Sequence, residues 1–191
     1  GVVTTTDQQI LFSVTSPDPQ PQAISNQQSA IDVSGWQTYR NDEFGFEVKY
    51  PKNFIITESG SRVDIKEKDW EKLKSFQIFA FEWKPVSTFD FESYLRLTKI
   101  RFFESRSTGF TEEIKEIAGQ QGVKLVSQEF KPCVDPRDKQ MSASIFCKSV
   151  VSVSKKDDMN YFFAGTVYDR GNFENLLDTY DQILSTFRFV E

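Results

Sequence analysis

The sequence predicts an α+β domain, a mainly antiparallel β-sheet over which a helix returns at two points. Three observations carry this. Between Trp36 and Pro85, apolar residues alternate in short runs broken by glycine and proline. After Pro85 the spacing lengthens to that of an amphipathic helix. The chain then returns to alternating runs and closes on a second helical pattern followed by a short strand.

In chain order, Gln37–Arg40 and Phe46–Tyr50 are strands flanking a turn in which Gly45 takes a positive φ. Phe46, Val48 and Tyr50 share one face, and Pro51, with no N–H to donate, ends the ladder. Ile55–Glu58 and Arg62–Lys66 are the arms of a hairpin around Ser59-Gly60. The segment EKDWEKLK is a charged connection, and Phe76–Trp83 (FQIFAFEW) is the strongest strand signal. Phe91, Tyr94, Leu95, Thr98 and Phe102 fall on one side of a helix from Asp90 to Phe103, with a Ser, Thr or Asp ahead of it to cap its free N–H groups. The stretch EEIKEIAGQQGVKLVSQEF reads either as helix then strand or as two strands; the turn residues from Ala118 to Gly122 favour two strands. Ile145–Ser154 and Tyr161–Tyr168 form a hairpin across KKDDMN. Phe173, Leu176, Leu177, Tyr180 and Leu184 mark a helix starting near Asn172, before a terminal strand at Phe187–Val190.

Residues 1–35 differ from the rest. They hold three Asp, six Gln and no Lys or Arg, with Pro17, Pro19 and Pro21 alternating in SPDPQPQ, a composition for an extended spacer. Within them QILFSVT, Gln9–Thr15, is apolar enough to add as a strand or to remain a partly collapsed tail. The domain is therefore expected over residues 36–191, and a chain beginning near Ser34 is expected to keep nearly all its stability.

The run WQTYRNDEFGFEVKYPKNF, the long central strand, the Gly-Gln-Gln-Gly turn before a strand and the closing helix with ILSTFRF together resemble the PsbP-like domain. That family includes the extrinsic subunit of the oxygen-evolving complex. It is similar in fold to a Ran-binding nuclear-import factor and has many small members among exported, often membrane-anchored, bacterial proteins. The resemblance covers Trp36 to Glu191 and implies α/β/α layers, with the opening run starting the sheet and seeding its core. Its motifs are structural, so no catalytic or metal-binding residue is carried over.

Composition narrows the chemistry. The chain has no histidine, which removes Ser-His-Asp and Cys-His systems, His-Glu-x-x-His zinc sites, and any histidine metal site of the photosynthetic relatives. A net charge of −5 argues against nucleic acid. There is no run of about 18 apolar residues, so no spanning helix is expected. Since the sequence opens on Gly1 rather than Met, any membrane attachment is expected from an anchor upstream of it. No cofactor and no metal site is expected. Asp135 with Asp138, Asp157 with Asp158, and Asp169 with Glu174 lack the oxygen spacing of a calcium loop.

Two features remain as candidate sites. Cys133, in the loop PCVDP, and Cys147, in the strand IFCKSV, are fourteen positions apart and can meet as a disulfide if the flanking strands pair, which would stabilise by roughly 3 kcal/mol. The other reading is two reduced thiols, as in a cytosolic protein. Trp70, in its charged segment, and the basic run Arg96, Lys99 and Arg101, continuing to Arg106, are candidate partner contacts. The bland reading is rim packing for Trp70 and a solvated, salt-bridged helix face, with Glu92 four residues before Arg96.

The function expected is a non-enzymatic binding or assembly module outside the cytoplasm, membrane-tethered, with a protein partner. The alternatives are a hydrolase working through carboxylates or a Ser-Lys pair, and an intracellular GTPase-binding adaptor. Three substitutions probe the opening run: Phe46→Ala and Gly45→Val are expected to destabilise, and Glu47→Gln, on the opposite and wetter face, to matter little.

Overall fold

The computed structural model describes residues 32–102 and 109–190, all within one unit spanning Ile31–Glu191. Gln9–Thr15, Phe103 and Arg106 lie outside the described residues.

Among the described residues, eleven strands form two antiparallel sheets. The smaller holds β1 (Gln37–Asn41), β2 (Phe46–Tyr50) and β11 (Arg188–Phe189) in the order β1-β2-β11. The larger begins with the meander β3 (Phe54–Ser59), β4 (Arg62–Glu67) and β5 (Gln77–Pro85). Helix α1 (Phe91–Phe102) then carries the chain to the far edge, where β6 (Phe110–Ile117) and β7 (Gln120–Ser127) form a hairpin. Strands β8 (Lys131–Val134), β9 (Ser144–Lys156) and β10 (Met159–Tyr168) fill the middle, giving the order β3-β4-β5-β10-β9-β7-β6 with β8 paired to one end of β9. Helix α2 (Phe173–Thr186) follows.

The helices lie on opposite sides of the large sheet. One core joins α2, the small sheet and one face of the large sheet through Phe46, Val48, Phe81, Trp83, Phe163, Leu176, Tyr180 and Phe187. The other joins α1 to the opposite face through Ala80, Tyr94, Leu95, Val151, Val153 and Phe162. The expected layers are therefore present. The helices start where capping places them. Asp90 accepts from the Ser93 amide at 2.8 Å, and Asn172 accepts from the Asn175 amide at 3.0 Å.

The ambiguous segment is two strands, and Ala118 and Gly119, both at positive φ, make its tight turn. Four expectations change. The β9–β10 hairpin closes on Asp157-Asp158 alone, because Asp157 tolerates a positive φ and lets Lys155 and Lys156 pair with Asn160 and Met159. The terminal strand shrinks to two residues, because Phe187 caps α2 and turns into the core. Cys133 sits in a short strand, not a loop; Pro132 belongs there because β8 pairs with β9 alone and its missing N–H breaks no second ladder.

The fourth concerns Glu47. Its alternation holds, with Phe46 and Val48 buried on the other face, but its own face is not wet, for Glu47 is 7% exposed. Strand β2 is central in its sheet, so Arg40 of β1 and Arg188 of β11 both stand opposite Glu47, and Arg188 reaches its carboxylate at 2.6 Å.

Candidate functional site

The two faces of the large sheet are covered unequally. Helix α1 has 12 residues and so is about 18 Å long, whereas seven strands side by side span roughly 29 Å. Its buried Tyr94 and Leu95 pack with Leu125, Val151 and Val153 and also with Ala80, Phe162 and Ala164; beyond them Arg62, Asp64 and Lys66 of β4 and Thr166 of β10 are half-buried, so that part of the face is less completely covered.

The strand register writes the open surface in rows. Phe162 lies beside Glu82 and Arg62, Ala164 beside Ala80 and Asp64, and Thr166 beside Ile78 and Lys66. The paired alanines sit between bulkier rows, so the sheet dips there. The result is a groove of about 350 Å³ with Ile78, Ala80, Ala164 and Thr166 in its floor and Arg62, Arg101, Phe102, Cys133, Val134 and Tyr168 around it.

One wall is held by the loop between β8 and β9. Asp138 gathers that loop: its carboxylate accepts from the amides of Gln140, Ser142 and Ala143 and from the Ser142 hydroxyl, at 2.6–3.0 Å. The Ala143 amide is the main cause holding this carboxyl down at about 2. Arg137 chelates Asp135, donates to the Leu73 carbonyl at 2.8 Å and lies over the Phe76 ring. Hydrogen bonding to Arg137 lowers the Asp135 carboxyl, against the opposing effect of burial. Phe76 in turn stacks on Tyr168, with centroids 4.7 Å apart. Burial pushes the Tyr168 phenol up to about 12, with Arg62 opposing, so it stays protonated at neutral pH and offers a hydrogen-bond donor. At the loop's end, Cys133 and Cys147 lie at disulfide-bonding distance with Cα atoms 6.0 Å apart, diagonally across the β8–β9 ladder.

The residues singled out in the sequence are dispersed around this face. Arg101 stands on the groove rim, 3.9 Å from Glu82. Lys99 turns to the other side of α1 and pairs with Glu112 at 2.8 Å, beside a separate hollow that includes Leu95, Ile114 and Val123. Arg96 is exposed on α1, and among the described residues it forms no ion pair with Glu92. Trp70 is half-buried, packed on Phe76 and overlaid by Lys66, so it reaches the groove only through the Phe76–Tyr168 stack. Sequence reasoning missed Arg62, Thr166, Tyr168 and the loop. The available signal was an alanine at the centre of two otherwise bulky strands, FQIFAFEW and YFFAGTVY, but only the register makes the two neighbours.

A Lys does lie beside a Ser: Lys124 and Ser152 are register partners. The Lys124 ammonium is held by Asp181 at 2.8 Å, and Ser152 has no exposed surface. The ammonium is tied up by Asp181, and a hydroxyl sealed beneath α2 meets no substrate. On the open face, Asp64, Glu82 and Asp135 each have a cation partner. Among the described residues no helix is long and apolar enough to cross a membrane, and no three of Cys, Asp and Glu cluster as metal ligands.

No protein-family model and no curated protein sequence matches the chain. Solved structures do. Cyanobacterial PsbP (CyanoP) from Synechocystis is 13% identical with a TM-score of 0.53, over 85% of this chain and 95% of that one. LpqN, involved in cell envelope biogenesis of Mycobacterium tuberculosis, is 8% identical at 0.56, over 82% and 92%. The Ran-binding protein Mog1p of Saccharomyces cerevisiae is 8% identical at 0.52, over 82% and 96%. At such identities the likeness is one of architecture, and the architecture of this chain is the PsbP-like α/β/α sandwich.

Proposed function

We propose that this domain is a non-enzymatic protein-binding module working outside the cytoplasm, with the Pro/Gln-rich residues 1–35 as a spacer that holds it off a membrane. The observation that carries the binding reading is a groove on the less completely covered part of the sheet face, walled by a tightly hydrogen-bonded loop whose tip, Met141, is 75% exposed. A large apolar side chain presented on a pre-ordered loop gains contact area on binding with little ordering cost. The likeness to the Ran-binding Mog1p and to LpqN, involved in cell envelope biogenesis, supports a binding role. The Cys133–Cys147 pair supports an oxidising compartment. Mog1p equally favours a second reading, an intracellular GTPase-binding adaptor, and the cysteines separate the two.

Two measurements test this. A photo-crosslinking residue is placed at Thr166 or Met141 on the groove side, and at Glu174 on α2 as control, in the full chain expressed in its native cells. The expected outcome is one protein captured from the first two positions and not from the third. No capture from the groove side, or capture from α2 alone, overturns the binding face. Mass spectrometry of the native protein without reductant is expected to find Cys133 and Cys147 linked, lighter by the two hydrogens lost on oxidation. Two alkylatable thiols would favour the adaptor.

A further inference from the structure

We infer that the groove takes an extended segment of a partner protein in which one aliphatic side chain is flanked by carboxylates; this rests on the partner-binding reading above and adds its chemistry. The aliphatic part follows from the floor. Ala80 and Ala164 are neighbours across β5 and β10, bounded by Phe162 on one side and Ile78 on the other. A volume of about 350 Å³ is near the low end for ligand sites, room for one side chain with its flanking backbone.

The acidic flanks follow from the rim. Among the described residues, β4 and β5 with Arg101 of α1 bring Arg62, Lys66, Lys84 and Arg101 to this face against Asp64 and Glu82. A chain with a net charge of −5 thus concentrates positive charge here. The cations are also incompletely used. Asp64 engages Arg62 through Nε at 2.7 Å, and the Arg62 side chain remains 39% exposed. Arg101 is 62% exposed, and its 3.9 Å approach to Glu82 is longer than a hydrogen bond, since Glu82 is held by Lys84 at 2.9 Å. Two guanidiniums flanking one apolar dip are placed to fork onto carboxylates on either side of a seated side chain.

The extended form follows from the groove's open end. Cys133 and Val134 line both the groove and a hollow of about 380 Å³ at the foot of Met141, so the surface continues past one side chain. The contact is on a sheet face, with strands on both sides of β5 and β10, so it relies on side chains and not on strand addition at an edge.

The test titrates the isotope-labelled full chain with acetylated, amidated pentapeptides carrying a central alanine, valine or leucine between two aspartates, and with the same peptides bearing lysines in place of the aspartates. At peptide concentrations up to about 5 mM, saturable amide shifts are expected at Ile78, Ala80, Ala164 and Thr166 with at least one acidic peptide and none of the basic ones. Arg62→Gln with Arg101→Gln, both at exposed side chains, should weaken that binding by about tenfold or more while leaving the remaining amide spectrum unchanged. Equal response to the basic peptides overturns the proposal. So do shifts confined to the hollow beside Lys99, an unaltered affinity in the double variant, or no saturable shift with any acidic peptide. Crosslinking from Thr166 or Met141 would survive every one of these failures, so loss of the peptide chemistry and loss of the binding face are told apart.

Discussion

The two faces of the large sheet are made by the same strands, residue by alternate residue, and they are finished differently. Towards α2 and the small sheet, β5 and β10 present Phe79, Phe81, Trp83, Tyr161 and Phe163; Trp83 meets Phe46 at 5.3 Å, Phe163 meets Phe81 at 5.2 Å and Phe187 at 4.7 Å, and Phe46 meets Phe187 at 5.4 Å, in tilted and edge-on ring pairs. Towards α1 the same two strands present Ile78, Ala80, Ala164 and Thr166, and the helix covers only part of them. A face closed by rings gains from area removed from water and from aromatic geometry. The other face has fewer and smaller apolar residues with its polar ones paired, so it gains less from burial than the ring-filled face. The closed face can therefore supply most of the stability while the open one is available to a partner.

That division breaks most visibly at Phe46. It is 1% exposed between Trp83 and Phe187, so Phe46→Ala should lower unfolding free energy by about 3–5 kcal/mol in chemical denaturation. Gly45→Val comes next, at about 1–3 kcal/mol: φ is +61°, and a Cβ built there stands 3.0 Å from the Val190 carbonyl oxygen. A loss at Gly45 larger than at Phe46 would place the strain of the turn above the ring core.

Glu47→Gln sharpens the comparison inside the small sheet. Because the carboxylate is buried between Arg40 and Arg188, the expected loss is about 1 kcal/mol, not the negligible effect that simple alternation implies. Arg62→Gln, on the open face, should stay within about 0.5 kcal/mol, since its ion pair is partly exposed. If Arg62→Gln matched Gly45→Val, the open face would be structural.

The smallest effect is local. The Asp138 carboxyl is held at about 2 in the folded loop, below its ordinary value, so its hydrogen bonds stabilise the loop above pH ~4 and are lost as pH falls towards 2. Amide protection at Ser142 and Ala143, taken relative to the intrinsic exchange rate at each pH, should fall across that window, and Asp138→Asn should remove the dependence. Unchanged protection down to pH ~2 would mean the loop is held chiefly by Arg137.

What the sequence determined by itself was local. Period-two and helical spacing, the turn at Gly45 and the turn signal from Ala118 to Gly122 identify the elements, because each depends on residues a few positions apart, although the turn itself closes on Ala118-Gly119 and Gln120, Gln121 and Gly122 already pair in β7. The alternating register of β2 was legible in the same way. What surrounded that register was not. Glu47 became buried because β11, 141 residues later in the sequence at Arg188, pairs with the same strand. Ala80 and Ala164 became one depression because β10 inserts between β5 and β9, and Arg101 joined Arg62 because α1 ends above that row. Lys99, two residues away in the same basic run, was turned to the far side by helical geometry and neutralised by Glu112. Strand order decides which side chains share a surface, and strand order is set by burial across the whole chain, a sum of long-range contacts that no short window of residues contains.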